Sequence, residues 1–139
     1  MQIYFAGSIR GGRDDAAEYR RIITLLSEYG KVLTEHVGSE DLPSTGEKGL
    51  SDADIYARDM AWLTRADVLI AEISAPSHGV GYEIAQAEAQ GKPVLCIYRA
   101  GTGRQISAML AGNPALRCEH YESMAQIESI LARFLHTIP

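Results

Sequence analysis

Short apolar runs alternate along the chain with longer stretches in which apolar residues recur every three or four positions. The first run, QIYFA (2–6), predicts a strand. RDDAAEYRRIITLLSEYG (13–30) places Ala16, Tyr19, Ile22, Ile23 and Leu26 at helical spacing and stops at Gly30. KVLT (31–34) predicts a second strand. Residues 37–50 are polar, carry Pro43, Gly46 and Gly49, and are expected to form a mobile loop. SDADIYARDMAWLTRA (51–66) predicts a helix with Ser51 as N-cap and acids in its first turn. DVLIAEI (67–73) and PVLCIY (93–98) predict strands, separated by a helix over 79–91 that ends at Gly91. A short helix over 104–112 and a weaker strand, RCEHY (117–121), follow. The chain closes on a helix over 123–136, with Met124, Ile127, Ile130, Leu131 and Phe134 on one face.

Strands that alternate with helices run parallel and are joined by right-handed crossovers. The near-continuous apolar runs of the third and fourth strands imply burial on both faces. The expected architecture is a doubly wound five-stranded parallel sheet, a flavodoxin/Rossmann-like three-layer α/β sandwich, formed by residues 1–139 as a single domain. There is no internal repeat. Folds of this class bind ligands beyond the carboxyl ends of their strands, so the residues just after each strand are the candidates for chemistry.

Composition narrows the classes of function. The 139 residues are 46% hydrophobic and 22% charged, enough apolar material for a core without disulfides or metals. A formal net charge of −5 argues against a nucleic-acid partner, which requires a basic face, but leaves room for a small anion held by local donors. Cys96 and Cys118 belong to no CxxC pair, and Cys96 lies in an apolar run, which predicts a buried free thiol suited to a reducing cytosol. No apolar run reaches membrane-spanning length, and MQIYFAG reads as a strand rather than a signal peptide. A cytoplasmic location without a membrane partner is expected, with a nuclear one also open for a eukaryotic chain.

GSIRGGR (7–13) follows the first strand. Its small residues let backbone N–H groups approach an anion, and Ser8 and Arg10 add donors of their own. It is neither a Walker A loop nor a GxGxxG fingerprint, and a glycine-rich turn with a solvated arginine explains it equally well. His36 stands after the second strand, where a structural role is the commoner one. Ser77 and Gly79, after the third strand, offer further anion donors or cap the next helix. Asp59 shares a stripe with Ile55, Trp62 and Leu63, and Glu83 shares one with Val80, Ile84 and Ala87. Two acids on core-facing stripes require pairing or a solvated cleft. Asp59 paired with an arginine, or Glu83 favoured by the dipole in the first turn of its helix, are the bland alternatives. Glu72, within LIAEI, is a third acid, inside a strand. Paired acids beside an anion cradle suggest glycosidic chemistry on a phosphorylated sugar.

YFAGSIRGG, YGKVLTEHV, RDMAWLTRADVLIAEIS, PSHGVGYEIAQA, GKPVLCIYR and GRQISAML, in that order, resemble the 2'-deoxynucleoside 5'-phosphate N-hydrolases of the nucleoside 2-deoxyribosyltransferase superfamily. The resemblance spans nearly the whole chain. It implies cleavage of the N-glycosidic bond of deoxynucleoside monophosphates, without metal or cofactor, by a homodimer. It implies Glu83 as the nucleophile of a glycosyl-enzyme intermediate, Asp59 as the acid/base or orienting carboxylate, and Tyr4 as the tyrosine that assists the nucleophile. Gly7, Ser8, Ile9, Arg10 and Gly11 match phosphate and sugar contacts, Ser77 and Gly79 the other side of the phosphate pocket, and His36 a residue near the base. Ser107 and Met109 match residues donated by the neighbouring subunit. A deoxyribosyltransferase, a ribonucleotide N-glycosidase acting on CMP, and a nucleotide- or flavin-binding module without chemistry are the alternatives. The last leaves both carboxylates unexplained.

Overall fold

A computed structural model describes residues 1–10, 15–39 and 41–139. Five strands, β1 (Gln2–Ala6), β2 (Lys31–Val32), β3 (Val68–Glu72), β4 (Val94–Arg99) and β5 (Arg117–Tyr121), form one sheet in the order β2-β1-β3-β4-β5, with every neighbouring pair parallel. Helices α1 (Ala16–Ser27), α2 (Asp52–Arg65), α3 (His78–Ala89), α4 (Ala108–Ala111) and α5 (Met124–Leu135) connect and cover it.

The pleat sends alternate residues to opposite faces. Ile3, Phe5, Val68, Ile70, Leu95 and Ile97 pack on Tyr19, Ile22 and Leu26 of α1 and on Ile127, Leu131 and Phe134 of α5. Tyr4, Ala6, Leu69, Ala71, Val94 and Cys96 face the other way, onto Leu63 of α2 and Val80, Ile84 and Ala87 of α3. This is the expected three-layer sandwich, with all five residues of β3 buried. Cys96 is a buried free thiol.

Several boundaries differ from the sequence reading for identifiable reasons. The second strand is two residues long rather than four. Leu33 N–H still donates to Ile3 O at 2.9 Å, but beyond it the buried Thr34 side chain replaces the ladder. Its Oγ1 accepts from Phe5 N–H at 2.9 Å and donates to Phe5 O at 2.7 Å. The backbone, freed from pairing, turns into a 3-10 segment, Glu35–Gly38, that carries His36. The helix expected over 104–112 is a single turn, α4, capped by Ser107 Oγ, which accepts from Met109 N–H at 3.2 Å. The helix expected over 79–91 begins at His78, because Ser77 Oγ accepts from Val80 N–H. The helix after Ser51 forms as expected, with a complete capping box between Ser51 and Asp54.

Candidate active site

Tyr4 lies on the face of β1 that meets α2 and α3. Its ring is buried, and its hydroxyl donates to Glu83 Oε1 at 2.6 Å, across 79 residues of sequence. Glu83 reaches this point from the inward stripe of α3. It is the sixth residue of that helix, not a first-turn residue, because the Ser77 cap starts α3 at His78. The macrodipole acts mainly within the first turn, so dipole stabilisation does not account for an acid here. Burial instead pushes the Glu83 carboxyl up to about 7, opposed by the Tyr4 hydrogen bond and reinforced by the nearby charge of Asp59. The Tyr4 hydroxyl is itself raised, by burial first and then by Glu83.

Asp59 comes from the inward stripe of α2 and does pair with an arginine, its own neighbour. Arg58 Nε and Nη2 both donate to Asp59 Oδ1, at 2.9 and 2.7 Å. The same guanidinium grips Glu47 from the preceding loop, Nη1 to Oε2 at 2.5 Å and Nη2 to Oε1 at 2.6 Å. It also stacks over Trp62, 4.5 Å from the ring centre. His36 Nε2 completes the group, 3.0 Å from Glu47 Oε1.

A cleft of about 740 Å³ opens over the carboxylates. Glu83 and Asp59 line it, together with Gly7, Ile9, Arg10, Ser77 and Gly79. Gly7 is dictated by packing: a Cβ there would stand 2.9 Å from the ring of the buried Tyr19. Gly79 has open space where a Cβ would be, its nearest neighbour being Ser77 Oγ at 3.9 Å. Ser8 is buried beside the cleft rather than in its wall, its backbone N–H donating to Tyr19 Oη at 3.1 Å. Arg10 spans the mouth and donates to Asp52, the first residue of α2, at 2.7 Å. Gly11 lies outside the described residues.

His36 stands behind the Glu47–Arg58 pair and is not in the cleft wall. Ser107 and Met109 are not there either. Both line a second cavity of about 460 Å³ between α3 and α4, which shares Pro76, Ser77, His78 and Val80 with the cleft, and Met109 is 80% exposed. Within one chain, then, the carboxylates and the anion donors come together while the ISAML residues stand apart. Among the described residues no group of His, Cys, Asp and Glu is placed to hold a metal.

Sequence reading missed Glu47, Arg58, Asp52, Tyr56 and Tyr82. Tyr56 and Tyr82 stand at the cleft mouth with ring centres 6.3 Å apart, and Tyr56 lies three residues before Asp59, a spacing that placed it on the same face. Glu47 had no such signal, since its loop has no periodicity.

The family model described as nucleoside 2-deoxyribosyltransferase matches residues 3–128. The chain is 54% identical over 111 residues to the 5-hydroxymethyl-dUMP N-hydrolase of Mus musculus, a match covering 79% of this chain and 64% of the mouse protein. It is 43% identical over 141 aligned positions to the protein of the same description from Danio rerio, covering 99% of this chain and 98% of that one. A putative 2'-deoxynucleoside 5'-phosphate N-hydrolase 1 of Trichoplax adhaerens is 52% identical over 110 residues, 79% of this chain and 74% of the relative. Among solved structures, a Clostridium botulinum CMP N-glycosidase superposes with a TM-score of 0.68 at 16% identity, over 96% of this chain and 99% of that one, a likeness of fold.

Proposed function

The chain belongs to the nucleoside 2-deoxyribosyltransferase family, and from that premise we propose that it hydrolyses the N-glycosidic bond of 2'-deoxynucleoside 5'-monophosphates. The products are the free base and 2-deoxyribose 5-phosphate. The observation that carries this reading is the 2.6 Å contact from the buried Tyr4 hydroxyl to Glu83, which lines one cleft together with Asp59.

Glu83, ionised, attacks the anomeric carbon, and the C1'–N bond breaks as a C1'–O bond to the carboxylate forms. Asp59 delivers a proton to the departing base and then takes one from the water that releases the sugar. Tyr4 holds Oε1 and, by donating to it, favours the charged form of the nucleophile. A hydrogen bond to a charged group contributes about 1.5–3 kcal/mol. Arg10, Ser77 and the backbone around Gly79 receive the 5'-phosphate, which explains the open space at Gly79. Ser8, whose N–H is held by Tyr19 Oη, fixes the start of the loop that carries Arg10. His36 acts through Glu47 and Arg58 at the base side. The molecule works as a homodimer in which Ser107 and Met109 of one protomer complete the cleft of its partner, consistent with their distance from the cleft of their own chain.

Incubation with a panel of deoxynucleoside monophosphates, followed by chromatography for free base, tests the reading. Release of base together with 2-deoxyribose 5-phosphate is expected. Products in which the sugar has moved to a second added base, with no free sugar phosphate, would make the protein a transferase. No turnover of any deoxynucleotide would remove the enzymatic reading.

A further inference from the structure

Of the three acids that interrupt the apolar pattern of the chain, Glu72 has no part in the reaction above. It ends β3, whose other four residues are apolar, and it is fully buried. A carboxylate in that place costs more than an apolar side chain, so the fold alone does not call for it. Its hydrogen bonds show what it holds. Ser74 N–H donates to both of its oxygens at 3.3 Å, and Ser74 Oγ donates to Oε1. Tyr121 Oη, from the last residue of β5, donates to Oε1 at 3.1 Å. The Ser74 hydroxyl accepts in turn from the N–H of Arg99, the last residue of β4, at 2.7 Å. One buried acid thus ties the carboxyl ends of β3, β4 and β5 to Ser74.

Ser74 belongs to the link 73–77, which runs from β3 into α3. The near end of the link is held by Ile73 N–H on Ile97 O at 2.9 Å. Its far end is Ser77, whose Oγ caps α3 and which lines the cleft with Pro76 and Gly79. The body of α3 is fixed separately, because Val80, Ile84 and Ala87 pack in the core beside Tyr4, Ala6 and Leu69. Releasing Ser74 therefore loosens the approach to Ser77 and Gly79 and leaves Glu83 where it is. We infer that Glu72 is a positioning residue for the 5'-phosphate: through Ser74 it sets the link whose far end presents Ser77 and the Gly79 backbone to the anion. The inference rests on the phosphate being received there, as proposed above. Donors fixed before the anion arrives do not have to be ordered on binding.

The test reads binding apart from turnover. Calorimetry with 2-deoxyribose 5-phosphate, which carries the phosphate and has no base to lose, gives Kd. KM and kcat are measured beside it on 5-hydroxymethyl-dUMP. Glu72→Leu removes the acceptors and keeps a bulky side chain in the core, and Ser74→Ala removes the hydroxyl and keeps the acid. Both are expected to raise Kd and KM roughly tenfold, the worth of one misaligned charge-assisted contact. In both, kcat is expected to change by less than about twofold, the pattern of lost uniform binding. Glu72→Gln keeps an oxygen to accept from Ser74 Oγ and Tyr121, and is expected to hold Kd within about threefold of the parent. A merely structural role would lower the folded fraction, and kcat with it, while Kd and KM stayed as they were. That result would overturn the inference, as would a Glu72→Gln variant that binds as weakly as Glu72→Leu. If the parent protein does not bind 2-deoxyribose 5-phosphate, the phosphate reading falls and takes the inference with it. If the parent binds it and Glu72→Leu and Ser74→Ala bind it equally well, the role of Glu72 alone is lost.

Discussion

A carboxylate packed as deeply as that of Glu83 resists ionisation, and the nucleophilic role demands it ionised. The conflict has a measurable signature in stability. The folded-state value of about 7 lies above the ordinary 4.5, so between those pH values the folded chain binds more protons than the unfolded one. Stability therefore falls as pH rises from 4.5 through 7, and the full cost stands above 7. Glu83→Gln keeps a carbonyl to accept from Tyr4 and removes the ionisation. The variant is expected to match the parent near pH 4 and to exceed it by ~3 kcal/mol at pH 8, read by urea unfolding at the two pH values. Its turnover is expected to fall by at least a thousandfold, a barrier rise of ~4 kcal/mol. Equal stabilisation at both pH values would mean that the gain comes from packing, not from charge.

At the scale of elements, the most consequential one is the shortest. β2 ends after Val32 because Thr34 satisfies Phe5 through its side chain, and the chain can then curl His36 toward Arg58. Thr34→Val preserves the shape and leaves a buried N–H and C=O of Phe5 without partners. It is expected to cost roughly 1–3 kcal/mol in urea unfolding and to weaken substrate binding through the displaced 3-10 segment. An unchanged denaturation midpoint would show that β1 is held without Thr34. The sequence announced the strands that are buried on both faces, such as Val68–Glu72, and the helices whose caps are serines, Ser51, Ser77 and Ser123. It announced Asp59 and Glu83 too, because an acid on an apolar stripe violates the helical pattern. It was silent on Glu47, whose place is fixed by long-range contacts with Arg58 and His36 rather than by any local period. The reading of KVLT as a full strand failed for a related reason. Thr34 fits a strand by propensity, and only its tertiary partner reveals that its side chain stands in for the ladder.

Across the whole molecule the sheet divides labour. The face under α1 and α5 is apolar packing, and the face under α2 and α3 carries Tyr4, Asp59 and Glu83. Ser107 lies on a neighbouring cavity, so the proposed homodimer can be tested by complementation. In an isologous dimer, a heterodimer of Glu83→Gln and Ser107→Ala has one site carrying both changes and one carrying neither. With free exchange from an equal mixture, about a quarter of all sites become intact, and activity is expected to rise above the parental mean. Exchange verified by mass spectrometry without that rise would place Ser107 in its own subunit or outside catalysis. The bridge from Arg10 to Asp52 across the cleft mouth carries a consequence of a different kind. When the substrate's phosphate arrives, Arg10 trades one anion for another, so the number of close ion pairs at the mouth is conserved through binding. Dissolved salt weakens the pair that is broken along with the pair that is made. KM is therefore expected to change little as ionic strength rises, and to become steeply salt-sensitive in Asp52→Asn, where the arginine has no anion to surrender.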